Sequence, residues 1–103
     1  MKYISTRNIR KEYNFEEVFI KGLAEDGGLF VPKILNKYNE EELKTLSALS
    51  YQDLAKKIIF PFIEGFMSEN ELSDIVDKSY SIFRKDNVVN LIDVGEIKVL
   101  ELW

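Results

Sequence analysis

The sequence predicts an α+β fold, in which helices pack on a short antiparallel or mixed sheet. Two patterns predict it: three segments carry apolar residues at helical spacing, and four short apolar runs are bounded by turn residues. With 103 residues, of which 46% are hydrophobic, the chain can bury one modest core. We therefore interpret residues 1–103 as a single domain.

The first half of the chain contains two predicted strands and one clear helix. A strand is expected near 2–6, and a helix over 15–24 that begins after Asn14, an N-cap residue followed three positions later by Glu17. A brief strand at 29–31 follows a glycine pair and is closed by a proline. Residues 33–49 fit either a short helix starting at Asn39 or mostly loop.

The second half predicts two helices and a hairpin. Ser50 caps a helix over 51–64, and Ser68 with Glu71 starts a helix over 69–84 with a long apolar stripe. The apolar runs 88–94 and 97–103 flank Gly95-Glu96, which is typical of a two-residue hairpin turn.

The final strand is apolar on both faces apart from Glu101, and it ends at Trp103 without a polar tail. A bare apolar strand promotes aggregation unless something covers it. We therefore expect that the natural chain continues or that a partner packs on this strand. The alternative is that the strand is central in the sheet.

Composition excludes several classes of function. The net charge is −4 and no basic stripe is present, which argues against nucleic-acid binding. The chain has neither cysteine nor histidine, so disulfides, thiol nucleophiles and Ser-His-Asp sites are excluded. Because no apolar stretch approaches the roughly 20 residues of a membrane span, and no signal peptide is evident, we expect no membrane association and a cytoplasmic location.

Two short motifs are candidates for binding an anion. The amides of Asp26-Gly27-Gly28 could contact a phosphate, but a tight turn that needs glycine is the interpretation we favour. Ser5-Thr6-Arg7 could offer hydroxyls and a guanidinium, although a polar strand exit with a surface arginine is favoured. Lys56, Lys57, Lys78 and Lys98 lie beside acidic residues or on helix faces opposite the apolar stripe, and they are expected to be solvated charges.

Three stretches in order resemble the amino-terminal domain of threonine synthases: KYISTRN at 2–8, KGLAEDGGLFVP at 21–32, and LSYQDLA at 49–55 paired with the terminal VLELW. The family typically reads Y-x-S-T-R-G, then G-L-A-x-D-G-G-L-[YF]-V-P, then L-S-Y-x-[ED]-L-A. One departure is Asn8, where the family usually has glycine. The other concerns the last residues. In the family, the H-G-P-T motif and then the F-K-D motif, whose lysine forms the Schiff base, follow L-E-L-F directly, whereas this sequence ends at Trp103, just before that point.

The resemblance implies a fold type II pyridoxal-phosphate enzyme that converts O-phosphohomoserine and water to threonine and phosphate. No catalytic, cofactor-binding or metal-binding residue is expected within 1–103, so the chain alone should be inactive. Its expected partners are the cofactor-binding domains of the same enzyme. The loops expected to face the cleft contain Ser5, Thr6, Arg7, Asp26, Gly27 and Gly28.

Two alternatives remain open from the sequence. The chain could be a free-standing interaction module that forms a homodimer through the strand ending at Trp103. It could also belong to a threonine synthase-like phospholyase, since the groups that select the substrate would lie outside these residues.

Overall fold

The computed structural model describes residues 1–83 and 89–101, and it confirms the α+β class with five strands and four helices in those residues. In chain order the elements are β1 (Tyr3–Ser5), β2 (Glu12–Tyr13), α1 (Phe15–Lys21), β3 (Phe30–Pro32), α2 (Glu40–Ser47), α3 (Tyr51–Ile63), α4 (Glu69–Tyr80), β4 (Asn90–Val94) and β5 (Ile97–Glu101).

The amino-terminal sheet has three antiparallel strands in the order β2-β1-β3. Tyr3 pairs with Tyr13 on one side and with Pro32 on the other, so β1 is central. Alternation along β1 places Tyr3 and Ser5 on one face, and both are buried. The two-residue strand β2 was not predicted, because two residues carry no periodic signal of their own.

The carboxyl-terminal hairpin forms a second sheet, which corrects the expectation of one sheet. β4 and β5 pair with each other around the predicted Gly95-Glu96 turn. The alternative in which the last strand is central is wrong for the described residues, because β5 there pairs only with β4. The predicted ends at Val88, Leu102 and Trp103 lie outside the described residues.

The helices begin at the predicted caps and end earlier than predicted. The side chains of Asn14, Asn39, Ser50 and Ser68 each accept a hydrogen bond from the backbone three residues on. α1 ends at Lys21 rather than 24, since Gly22 leaves helical dihedrals with a φ of 69°. For residues 33–49, where the sequence fits either a short helix or mostly loop, the structure shows the short helix α2. α4 ends at Tyr80, and position 84 is not among the described residues.

Two small clusters of buried apolar residues form the core. One contains Tyr3, Tyr13 and Val18; the other contains Ile63, Leu72 and Val76. Phe15 contacts both clusters, and the Tyr3 hydroxyl donates to the Phe62 carbonyl at 2.7 Å. These contacts join the amino-terminal sheet to α3 and α4.

The apolar face of α1 is only partly buried. Phe19 is 70% exposed and stacks on Phe15 with the ring centroids 5.8 Å apart, while Leu23 lies beyond the helix end. None of the helices in the described ranges is long and apolar enough to cross a bilayer.

Candidate functional site

The two motifs singled out in the sequence come together in the structure. Antiparallel pairing of β1 with β3 brings Ser5 opposite Phe30, and so places residues 5–7 beside the turn at 26–28. We call these two tripeptides the clasp. All six of the residues predicted to lie in cleft-facing loops belong to it.

Ser5 is the buried centre of the clasp, with no exposed surface. Its hydroxyl donates to Asp26 Oδ1 at 2.8 Å, and its oxygen accepts from the Arg7 amide at 3.1 Å. This burial corrects, for Ser5, the polar strand exit that the sequence favours. The missed signal was the two-residue alternation from Tyr3, which puts position 5 on the buried face.

The Asp26 carboxylate is fixed from two sides. Besides the Ser5 hydroxyl, the Gly28 amide donates to Oδ1 at 2.9 Å. The hydrogen bond from Ser5, followed by that from Gly28, lowers the pKa of the Asp26 carboxyl below its ordinary value. The carboxylate therefore acts as an acceptor inside the clasp.

Thr6 and Arg7 close the outer side of the clasp. The Thr6 amide donates to the Leu29 carbonyl at 2.9 Å, and Thr6 Oγ1 accepts from the Leu29 amide at 3.0 Å. Arg7 Nη1 donates to the Asp26 carbonyl at 3.0 Å. Thr6 and Arg7 both remain exposed to solvent.

The glycines of the clasp are explained by the side chains of the other tripeptide. Gly27 has a φ of 74°, and a Cβ there would lie 3.0 Å from Arg7 Nη1. A Cβ on Gly28 would lie 2.2 Å from Ser5 Oγ. Both glycine amides already have internal acceptors, Ala24 O for Gly27 and Asp26 Oδ1 for Gly28. The geometry therefore gives no backbone amide nest for a phosphate.

An ion-pair group flanks the clasp. Glu25 lies 2.6 Å from Lys21 Nζ and 3.0 Å from Lys11 Nζ. Hydrogen bonds from Lys21 and then Lys11 lower the pKa of the Glu25 carboxyl to about 2. This carboxylate is thus neutralised on two sides, and it reinforces the connection between α1 and the turn.

Lys56 and Lys98, the two lysines singled out in the sequence, are each held in ion pairs. Lys56 lines a groove of about 550 Å³ between α3 and α4, but its Nζ lies 2.8 Å from Asp77 and 3.5 Å from Asp53. The bond to Asp77 is the main cause that raises the Lys56 pKa, whereas a Schiff-base lysine must be available as a neutral amine. Lys98 is likewise paired, with Asp93 at 2.8 Å.

Comparison with known proteins gives a consistent family. The model described as "Threonine synthase N terminus" matches residues 2–80. Threonine synthase from Pseudomonas aeruginosa is 38% identical over 104 residues, covering 100% of this chain and 22% of the relative. "Threonine synthase-like 2" from Mus musculus is 39% identical over 105 residues, with the same two coverages.

A solved structure extends the likeness to three dimensions. The crystal structure of PLP-bound threonine synthase from Brucella melitensis matches with a TM-score of 0.88 and 33% identity, covering 99% of this chain and 22% of that one. The chain thus spans about a fifth of the length of the relatives that it matches.

Proposed function

We propose, because this chain belongs to the threonine synthase N-terminus family, that it acts as the amino-terminal domain of a pyridoxal-phosphate enzyme. That enzyme would convert O-phospho-L-homoserine and water to L-threonine and phosphate. The observation that carries the proposal is the match over the whole length of this chain, to about a fifth of each relative. The lysine and the phosphate-binding groups would come from the remaining part of such an enzyme.

The surface of the chain supports a role in docking to that remaining part. In the hairpin, strand pairing puts Ile92, Val94, Ile97 and Val99 on one face, and all four are exposed. The opposite face carries Leu91 and Leu100, which are also exposed. Apolar side chains on both faces of an uncovered hairpin favour burial against another domain.

A chimeric enzyme tests the proposal directly. The matching segment of the Pseudomonas aeruginosa threonine synthase is replaced by this chain, and phosphate release from O-phosphohomoserine is measured. We expect release from the chimera, and neither phosphate release nor an aldimine absorbance band from the chain alone with pyridoxal phosphate. A folded, cofactor-loaded chimera without turnover contradicts the assignment, and so does activity of the chain alone.

The exposed hairpin also supports a second candidate, the interaction module that forms a homodimer through β5. Among the residues that the structure describes, β5 pairs only with β4, so its other edge could extend the sheet of a second copy. Sedimentation equilibrium separates the interaction module from the enzyme domain: a concentration-independent dimer together with an inactive chimera favours the module.

The phospholyase alternative is tested with the same chimera. Another phosphorylated amino acid is offered as the substrate, and phosphate release is measured.

A further inference from the structure

Two grooves lie on either side of the contact between α3 and α4. The helices are antiparallel, since Tyr51 lies against Tyr80 with the ring centroids 5.1 Å apart, and Lys56, later in α3, pairs with Asp77, earlier in α4. One groove, with a volume of about 550 Å³, is the one that Lys56 lines; the other has a volume of about 510 Å³. Leu72 lines both grooves, which therefore share a wall.

The two grooves differ in charge. Asp53, Lys56, Lys57 and Glu69 line the larger one, which we call the charged groove. None of the described residues that line the smaller one is charged, and apart from two hydroxyl-bearing residues they are all apolar; we call it the apolar groove. Because charged residues are depleted from the cores of protein interfaces, the apolar groove is the one suited to burial against a partner.

The apolar groove has a buried floor and an exposed rim. Its floor is the second core cluster, formed by Ile63, Leu72 and Val76. At the rim, Ile59 is 39% exposed and Ile75 is 51% exposed. A partner that fills the groove would therefore cover these two side chains and extend an existing core.

The lining of the apolar groove favours a protein segment over a small molecule. Small-molecule sites combine apolar walls with several convergent polar groups, whereas only Ser79 and Tyr80 bring hydroxyls to this lining among the described residues. The walls are helices, whose backbone groups bond within each helix, so they offer no edge to a strand. A buried occupant must then satisfy its own backbone groups, which a helix does.

We propose that a helix from the remaining part of the enzyme packs in the apolar groove. The inference rests on the proposed function for the identity of this partner. This chain covers 22% of the relatives that it matches, so about four-fifths of such an enzyme lies outside these residues. An amphipathic helix with apolar residues three and four positions apart places a ridge of side chains between two helices. The apolar groove and the hairpin thus bind the same partner through separate surfaces.

Single cysteines in the chimeric enzyme test the proposal, because this chain has no cysteine of its own. Ile75→Cys lies at the rim of the apolar groove, and the control Leu43→Cys lies on α2 and lines neither groove. The two parent residues are matched in exposure, at 51% and 53%. Alkylation at position 75, followed by peptide mass spectrometry, should be roughly 10-fold or more slower than at position 43, because docking limits access to the groove.

Equal alkylation rates at the two positions in a folded, cofactor-loaded chimera would show that the groove stays open, and the proposal is then wrong. Protection at position 75 that rises with protein concentration would assign the groove to a second copy, which also overturns it. Protection at position 75 in a monomeric chimera without turnover supports the docking, and the proposed function fails instead.

A charge at the rim gives a second readout. In the chimera, Ile75→Glu should lower the midpoint of thermal unfolding, because its carboxylate meets an apolar helix without a partner. Leu43→Glu, which adds the same charge outside the groove, should change the midpoint much less. Equal midpoints for the two glutamate variants would contradict the burial of Ile75.

Discussion

At the residue scale, Gly28 is the position with the least steric freedom in the clasp. A Cβ would lie 2.2 Å from Ser5 Oγ and 3.0 Å from Asp26 Oδ1, so Gly28→Ala must displace a buried hydrogen-bonded pair. We expect a loss of about 1–3 kcal/mol in the free energy of unfolding, as for other overpacked sites. Urea denaturation of the wild-type and variant chains measures it.

A variant of Ser5 tests whether contact with its hydroxyl explains the glycine at position 28. Ser5→Ala removes the oxygen that meets the new methyl group, at the expense of the bond to Asp26. The double variant should therefore lose less stability than the sum of the single losses. Strictly additive losses would show that contact with Ser5 is not the reason for glycine at position 28.

Glu25 provides a prediction in pH. Its folded-state pKa is about 2, below the ordinary 4.5, because Lys21 and Lys11 donate to its carboxylate. A lowered folded pKa means that the contribution to stability is fully present above about pH 4.5 and is lost as the pH falls toward 2. In the Glu25→Gln variant, the free energy of unfolding should therefore fall less steeply between about pH 4.5 and pH 2 than in the wild type.

Salt and a second glutamate control the Glu25 experiment. Because the ion pairs are exposed, added salt should weaken the effect. Glu96→Gln, at the hairpin turn and without an ion pair among the described residues, should leave the acid limb unchanged. An NMR titration that places the Glu25 carboxyl near 4.5 would contradict the geometry of the pair.

At the scale of elements, the Tyr3 hydroxyl is one of the contacts that join the amino-terminal sheet to the helices. The buried Tyr3 donates to the Phe62 carbonyl at 2.7 Å, and so fixes β1 against the last turn of α3. Tyr3→Phe should lower the free energy of unfolding by about 0.5–1.5 kcal/mol, because the carbonyl loses its donor. Tyr38→Phe, at an exposed position without such a bond in the described residues, is the matched control in the same denaturation series.

The elements that the sequence predicted well are those with a local cause. Asn14, Asn39, Ser50 and Ser68 cap helices through contacts three residues away, and such contacts are visible in a short window. β2 depends on its pairing with β1, and the contact between Ser5 and Asp26 depends on the pairing of β1 with β3, so neither is contained in a short window. The same limit applies to the clasp: both tripeptides stand out in the sequence, but their mutual contacts follow only from the β1–β3 register.

At the scale of the whole molecule, the chain does not close around one core. Its radius of gyration is 16.9 Å, whereas a compact domain of this length has roughly 13 Å. The two buried clusters contain three residues each, and the hairpin leaves both of its apolar faces exposed. Such a shape suits a domain that completes its packing against another part of a larger enzyme.

The hairpin therefore should be the least stable part of the isolated chain. A two-stranded hairpin without a covered face is marginal in water, whereas β1 is central in its sheet and carries the buried Tyr3 and Ser5. In hydrogen exchange, the amides of β4 and β5 should exchange well before those of β1 and α3. When the chain is joined to the remaining domains in the chimera, the amides of β4 and β5 should become protected from exchange, because docking should bury Ile92, Val99 and their neighbours. Equal protection of hairpin and β1 in the isolated chain would mean that the hairpin is stable without a partner, and the docking role of its apolar faces would lose its physical basis.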